Sequence, residues 1–300
     1  MPELMKGHTW RDHSHKMTYP CAVEVKYDEI RCHVKVTQDC GSRPTGLVEF
    51  LSYAGKPLAN MEVFAPYFLT LARVTGYREF DCGIEVNGNF NDSYRWVRST
   101  KALPGDLHGA RIKFMLYDLP ELHDTVYWRR SALCDGVVQA WADWCSVKHA
   151  MHTPYAVRCD NAAEVEAAYK EFIESGFEGA MVKTLDHLYQ RKRAYTWLKL
   201  KPEEDADGVI THIHMAYAGK DQPELGIAVG DALGRAGSVT IRMEDGSTAD
   251  AHGIRHDLAA DMIANPQAYI GQWAEFVYME RDRQGGYRHP RFKRLREAKA

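Results

Sequence analysis

Three hundred residues, 45% of them apolar, are enough for one large domain or two ordinary ones and exclude wholesale disorder. No apolar run approaches the roughly 18 residues of a membrane span, and the polar, His-rich start from Met1 to Lys16 carries no secretory signal. A formal charge of −3 excludes a protein coated in basic surface.

Residues 1–20 read as an irregular lead-in ending at Tyr19-Pro20. Ala22 to Lys26 then alternates, with Val23 and Val25 on one face and Glu24 and Lys26 on the other. Ile30 to Val36 repeats the pattern: Ile30, Cys32, Val34 and Val36 are apolar, while Arg31, His33 and Lys35 are polar. Residues 39–46 form a turn by their Gly/Pro/Asp content, and Leu47 to Ser52 is the returning strand, closed by a turn over 54–58. Met61 to Arg73 is helical. Phe80 to Val86 is a strand with Asn87-Gly88 as its turn, and Ala110 to Leu119 is a stronger strand. Trp128 to Val147 is helical. Asn161-Ala162-Ala163-Glu164 has the capping-box pattern and starts the best-marked helix, which stops at Gly176. Phe177 to Lys183 and Tyr195 to Pro202 return to strand.

Composition changes after Lys201. Pro202 to Gly208 reads as a hinge, followed by short strands at Val209 to Met215, Val239 to Met243 and Trp273 to Met279, with a hairpin turn at Glu244 to Ser247. Short strands packed into such a segment predict a small β-barrel. The domains are therefore expected at 1–201 and 202–300. The last 20 residues, from Arg281, hold eight Lys/Arg and two Asp/Glu, so 8 − 2 = +6. A basic end of this kind is either solvated or follows a polyanion.

Seven cysteines, odd in number and without a Cys-x-x-Cys pair, argue against a disulfide framework or a zinc site and fit a reducing cytosol. His13 and His15, His212 and His214, and His252 and His256 lack metal spacing and read as surface or strand residues.

The block Lys26-Tyr27-Asp28-Glu29-Ile30-Arg31 resembles the Lys-x-Asp-Gly-x-Arg signature of covalent nucleotidyltransferases, the superfamily of ATP-dependent DNA ligases, RNA ligases and mRNA capping enzymes. Further blocks resemble the remaining motifs in order. Leu51 to Lys56 resembles Ser-Arg-x-Gly, Phe80 to Val86 the acidic strand Asp-Gly-Glu-Leu, and Phe114 to Leu119 the strand whose aromatic stacks on the base. Glu178 to Lys183 is similar to Glu-Gly-(hydrophobic)₃-Lys, and Trp197 to Pro202 to the twin-lysine motif. Arg288 to Arg296 resembles the C-terminal motif of small phage ATP-dependent DNA ligases.

The resemblance covers roughly residues 20–300. It implies an α+β fold: a nucleotidyltransferase domain of antiparallel sheets with helices, ATP-grasp-like, followed by a small OB-fold barrel. It implies a monomer that uses ATP and Mg²⁺ (or Mn²⁺) to seal nicked duplex DNA, away from any membrane, in the cytoplasm (the host's, if the source is a phage).

Carried over residue by residue, Lys26 would be the nucleophile, and Lys199 and Lys201 would meet the α-phosphate. Glu24 would lie near adenine and Arg31 would bind ribose or phosphate, with Lys183 among the nucleotide contacts. Glu85 and Glu178 would be oxygen ligands for the metal or acceptors from the sugar. Tyr117 is the first choice for adenine stacking and Phe114 the second. Arg288, Arg291 and Arg294 would orient pyrophosphate as the small domain closes. Arg43, Tyr53 and Lys56 would face DNA.

The chemistry asks for these residue types. Attack on a phosphate needs a neutral amine, and the charge that develops on the phosphate needs cationic clamps and metal. Three departures stand out. Glu29 replaces the signature Gly, Tyr53 replaces the Arg of the second motif, and Asp81 and Glu85 are spaced more widely than Asp-Gly-Glu. An RNA ligase, a GTP-dependent capping enzyme, or a non-catalytic OB-type nucleic-acid-binding protein are the alternatives at this point.

Overall fold

The computed structural model describes residues 4–37, 47–145, 149–279, 281 and 285–296. The chain divides into two compact units, Met1–Leu200 and Lys201–Ala300.

The first unit begins with β1 (Lys6–Thr9), α1 (Trp10–His13), β2 (Cys21–Lys26), β3 (Ile30–Thr37) and β4 (Leu47–Ser52). It continues through α2 (Ala65–Thr75), β5 (Glu79–Val86), α3 (Phe90–Arg98), β6 (Ile112–Asp118) and α4 (Tyr127–Trp144). It ends with β7 (Ala150–His152), β8 (Ala156–Cys159), α5 (Ala162–Glu174), β9 (Gly179–Thr184) and β10 (Arg193–Leu200).

These strands form two five-stranded sheets, ordered β1-β10-β9-β2-β8 and β4-β3-β5-β6-β7. All pairings are antiparallel except β1 with β10 and β6 with β7. Alternation explains the packing. Cys21, Val23, Val25, Ala180, Val182, Leu198 and Leu200 point to one core under α5. Val34, Cys82, Ile84, Phe114 and Leu116 point to another, closed by Phe68 of α2 and Trp141 of α4. Each large side chain buried this way contributes roughly 1.5–3 kcal/mol. The opposite faces are thereby left to polar residues.

The second unit contains β11 (Glu204–Tyr217), β12 (Ala232–Arg242), β13 (Thr248–His252), α6 (His256–Ala264), β14 (Trp273–Tyr278) and β15 (Arg291–Arg296). Its strands close into a barrel in the order β11-β12-β13-β15-β14, with β14 paired back to β11. Ile210, Val239, Ile241, Phe276 and Met262 fill it.

Several expectations change. The lead-in is not irregular: it carries β1, paired parallel to β10, and α1, whose Trp10 Nε1 donates to Glu166 Oε1 at 2.6 Å. The segment read as a hinge is largely strand, since Glu204 to Gly208 pair with β14. Its acids have local partners, Asp207 in Arg296 and Glu204 in the Tyr278 hydroxyl, so the run is held within the sheet. Gly208 is required there, because an added Cβ would lie 2.5 Å from the Arg242 carbonyl oxygen. Helix α3 was missed, although Asn89 caps it by accepting from the Asn91 and Asp92 amides. The turn read at 39–46 lies outside the described residues.

Candidate active site

The polar faces of the two sheets of the first unit enclose a cavity of about 280 Å³. Sheet alternation delivers its lining. Glu24 and Lys26 come from β2, Met181 and Lys183 from β9, Trp197 and Lys199 from β10, and Tyr117 from β6. A larger recess of about 610 Å³ shares Glu24, Tyr27 and Tyr117 with it and extends past Tyr127 and Thr153.

Lys26 ends β2, where its Nζ pairs with the Glu178 carboxylate and lies 3.5 Å from the Tyr27 carbonyl oxygen. Both side chains remain about one-fifth exposed, at 21% and 18%. This places the amine at the rim of the cavity instead of deep in the core. Register explains the pairing: Lys26 sits opposite Gly179, one residue after Glu178.

Behind Lys26 the site is a network of buried charge. Lys183 Nζ meets Glu24 Oε2 at 2.7 Å, with both side chains nearly inaccessible, and the Tyr127 hydroxyl donates to Glu24 Oε1. Lys183 also lies 4.3 Å from the centroid of the Trp197 ring. Arg31 grips Asp81 with two hydrogen bonds, Nε to Oδ1 at 2.7 Å and Nη2 to Oδ2, while Asp81 also accepts from the Tyr189 hydroxyl at 2.8 Å. Asp81 is fully buried, and this pairing raises the already high Arg31 pKa against the opposing effect of burial.

His187 buttresses this floor. Its Nε2 accepts from Trp197 Nε1 at 2.7 Å and Arg130 Nη2 at 3.2 Å, so Nδ1 carries the proton and donates to the Thr184 carbonyl at 2.6 Å. Burial, helped by the nearby Arg130 and Lys183 charges, holds the His187 pKa down to about 3. An unfolded histidine takes its proton near 6.5. The stabilisation from neutral His187 is therefore complete above pH 6.5 and is lost as pH falls toward 3, up to about 5 kcal/mol in all. Urea unfolding between pH 7 and 4 should show a steeper loss for the wild type than for His187→Gln. Equal slopes would mean that His187 does not titrate against the fold.

The remaining expected residues fall in varied places. Tyr117 lines both cavities, whereas Phe114 is fully buried against Phe64, Phe68 and Trp141. Opposite parity along β6 turns it away, so Phe114 is a core residue and not the ring expected to stack on adenine. Glu85 pairs with Lys113 at 2.9 Å, directly across from it in the sheet. Glu85 is absent from the lining of either cavity, while Glu29 belongs to the smaller one. Tyr53 lines the smaller cavity, Lys56 shapes the exposed turn beside Ser52, and Arg43 lies outside the described residues.

In the second unit, Lys201 Nζ approaches Met279 Sδ at 3.9 Å. Arg291 pairs with Glu203, Arg294 with Glu275 at 2.7 Å, and the Arg288 carbonyl accepts from Met279 N at 3.1 Å. Much of the basic end is thus neutralised within its own barrel.

Sequence reasoning missed Lys6. Its Nζ lies 3.2 Å from the centroid of the Tyr53 ring, and burial together with Arg193 and Arg31 lowers its pKa. No local signal marks it, because β1 is too short to show a period.

The chain resembles ATP-dependent DNA ligases in sequence and in fold. Residues 93–201 match the family model described as ATP dependent DNA ligase domain. The DNA ligase of Enterobacteria phage T3 is 30% identical over 133 residues, covering 43% of this chain and 36% of that one. The DNA ligase of Escherichia phage T7 is 25% identical over 153 residues, covering 43% and 40%. The matched stretch therefore spans about two fifths or less of the length of these relatives. Among solved structures, a Lig E DNA ligase superposes with a TM-score of 0.70 at 18% identity, over 99% of this chain and 100% of that one. The ATP-dependent DNA ligase of bacteriophage T7 in complex with ATP gives 0.56 at 18%, over 98% of each. At such identities the structural likeness speaks for the fold.

Proposed function

We propose that this chain is an ATP-dependent DNA ligase that seals nicks in duplex DNA through a nucleotide bound covalently to Lys26. One observation carries the reading: the amine at the end of β2 stands at the rim of a cavity walled by Glu24, Lys183, Lys199 and the rings of Tyr27, Tyr53, Tyr117 and Trp197. The second unit is read as an OB fold, supported by its closed five-strand order, the parallel β13–β15 pair and the helix between β13 and β14.

Lys26 attacks the α-phosphorus of ATP, forming an N–P bond and releasing pyrophosphate. AMP then passes to the 5′-phosphate of a nick, and the 3′-hydroxyl displaces it to close the strand. Lys199 balances the charge on the α-phosphate, and Tyr117 offers its ring to adenine. Lys6, resting on Tyr53, supplies a cation where the second motif carries Arg. Arg31 is oriented by Asp81 toward the sugar-phosphate side, and catalysis rests on positioning and electrostatics.

Nucleotide-bound Mg²⁺ takes one or two protein carboxylates and otherwise phosphate oxygens and water. Glu178, part-exposed on the rim beside Lys26, would be the carboxylate to hold it, while Glu85 is paired with Lys113 and lines neither cavity. When bound, the ion supplies charge neutralisation for the triphosphate.

The test is sealing of a singly nicked DNA duplex with ATP and Mg²⁺, run beside GTP and a nicked RNA duplex. ATP-dependent joining of DNA is expected. Preference for RNA would replace the reading with an RNA ligase, label from GTP with a capping enzyme, and no covalent label with a non-catalytic binding protein.

A further inference from the structure

The residue that departs most from the signature explains a second departure. Glu29 stands where the signature has Gly, and Gly83 stands on the polar face of β5 between Asp81 and Glu85. A Cβ built on Gly83 would fall on the Glu29 carboxyl group, 2.6 Å from Oε2 and closer still to Cδ and Oε1. The Glu29 carboxyl, reaching in from the loop after Lys26, thus fills the space that a side chain at position 83 of β5 would take.

Both Glu29 carboxyl oxygens are buried and have no hydrogen-bond partner among the described residues, although Glu29 lines the cavity that holds Lys26 and Arg31. A buried carboxyl without a partner is costly, and such groups mark places that a ligand completes. Burial and the neighbouring Glu85 charge push this carboxyl well above the usual range.

We propose that the carboxyl group of Glu29, seated where a side chain at Gly83 would otherwise lie, accepts a hydrogen bond from a sugar hydroxyl of the bound nucleotide. The inference rests on the nucleotide reading above. A carboxyl oxygen accepts a hydrogen bond whether the group is ionised or neutral, and on the sugar of a nucleotide the donors that suit it are the hydroxyls. The sugar adjoins the α-phosphate that Lys26 must reach, and Lys26 is among the charges that act on Glu29. The nearby cations already have carboxylates of their own: Lys26 has Glu178, Lys113 has Glu85, and Arg31 has Asp81.

The test is calorimetric binding of ATP, 2′-deoxy-ATP and 3′-deoxy-ATP to the full chain in EDTA, which holds off covalent transfer. The wild type should bind ATP at least about tenfold more tightly than the weaker deoxy analogue, the value of one hydrogen bond to a buried acid. Glu29→Gly should lose that preference. Gly83→Ala, which keeps the acid in the chain but puts a methyl where the carboxyl lies, should lose it too. The exchange Glu29→Gly with Gly83→Glu should restore it to within about threefold. A folded exchange variant no better than the worse single variant overturns the proposal, as does a Glu29→Gly protein with its preference intact. A wild type that shows the preference but forms no lysine adduct with Mg²⁺ would sink the ligase reading and leave this inference standing.

Discussion

Lys26→Ala should abolish covalent nucleotide capture and lower nick sealing by on the order of 10⁴–10⁶-fold, the scale seen when a covalent nucleophile is removed. Folding should hardly change. The Lys26–Glu178 pair is part-exposed and flanks the cavity without filling a core, so its loss costs less than about 1 kcal/mol. Lys26→Arg separates charge from chemistry. It keeps a cation for Glu178, yet a guanidinium does not shed its proton in a protein and cannot attack phosphorus. Both variants should be equally inactive and equally stable, as read by adduct formation and by thermal unfolding. An active Arg variant would show that position 26 acts only as a positive charge.

Arg130→Ala should cost the first unit about 3–5 kcal/mol, because it strands a buried carboxylate. Arg130 and Asp118 are both fully buried and joined by two hydrogen bonds, at 2.6 and 3.0 Å. Arg130 also donates to the carbonyls of Thr125 and His187. Replacing the pair together, Arg130→Met with Asp118→Leu, should recover much of the loss, since two apolar groups of similar size leave no charge unpaired. Chemical denaturation of the two variants checks this. A single variant less than about 1 kcal/mol below wild type would mean that the pair is better solvated than its burial implies.

Much of the fold and part of the site could be read from residues alone, for reasons visible in the strands. Alternation over Ala22 to Lys26 put Glu24 and Lys26 on one face, and both line the cavity. The same parity rule separates Tyr117 from Phe114, but only once the strand has a partner to define which face is polar. Asn161 and Glu164 announced α5, and the Asn161 side chain accepts from the Glu164 amide as a cap should. What escaped depends on distant pairing. Lys6 matters because β1 lies beside β10, 187 residues away for the pair Lys6 and Arg193. His187 matters because Trp197, Arg130 and Thr184 converge on it. The wide spacing of Asp81 and Glu85 looked like a blemish in a motif. In three dimensions Asp81 holds Arg31, Glu85 holds Lys113, and the position between them belongs to Glu29.

The measurement closest to the central claim is peptide mapping by mass spectrometry of the protein incubated with ATP and Mg²⁺. The account predicts one AMP per chain, acid-labile as a phosphoramidate, on the fragment that contains Lys26, and its disappearance when nicked DNA is added. AMP on Lys183 or Lys199 instead, or a wild-type protein that never acquires the adduct, would contradict it.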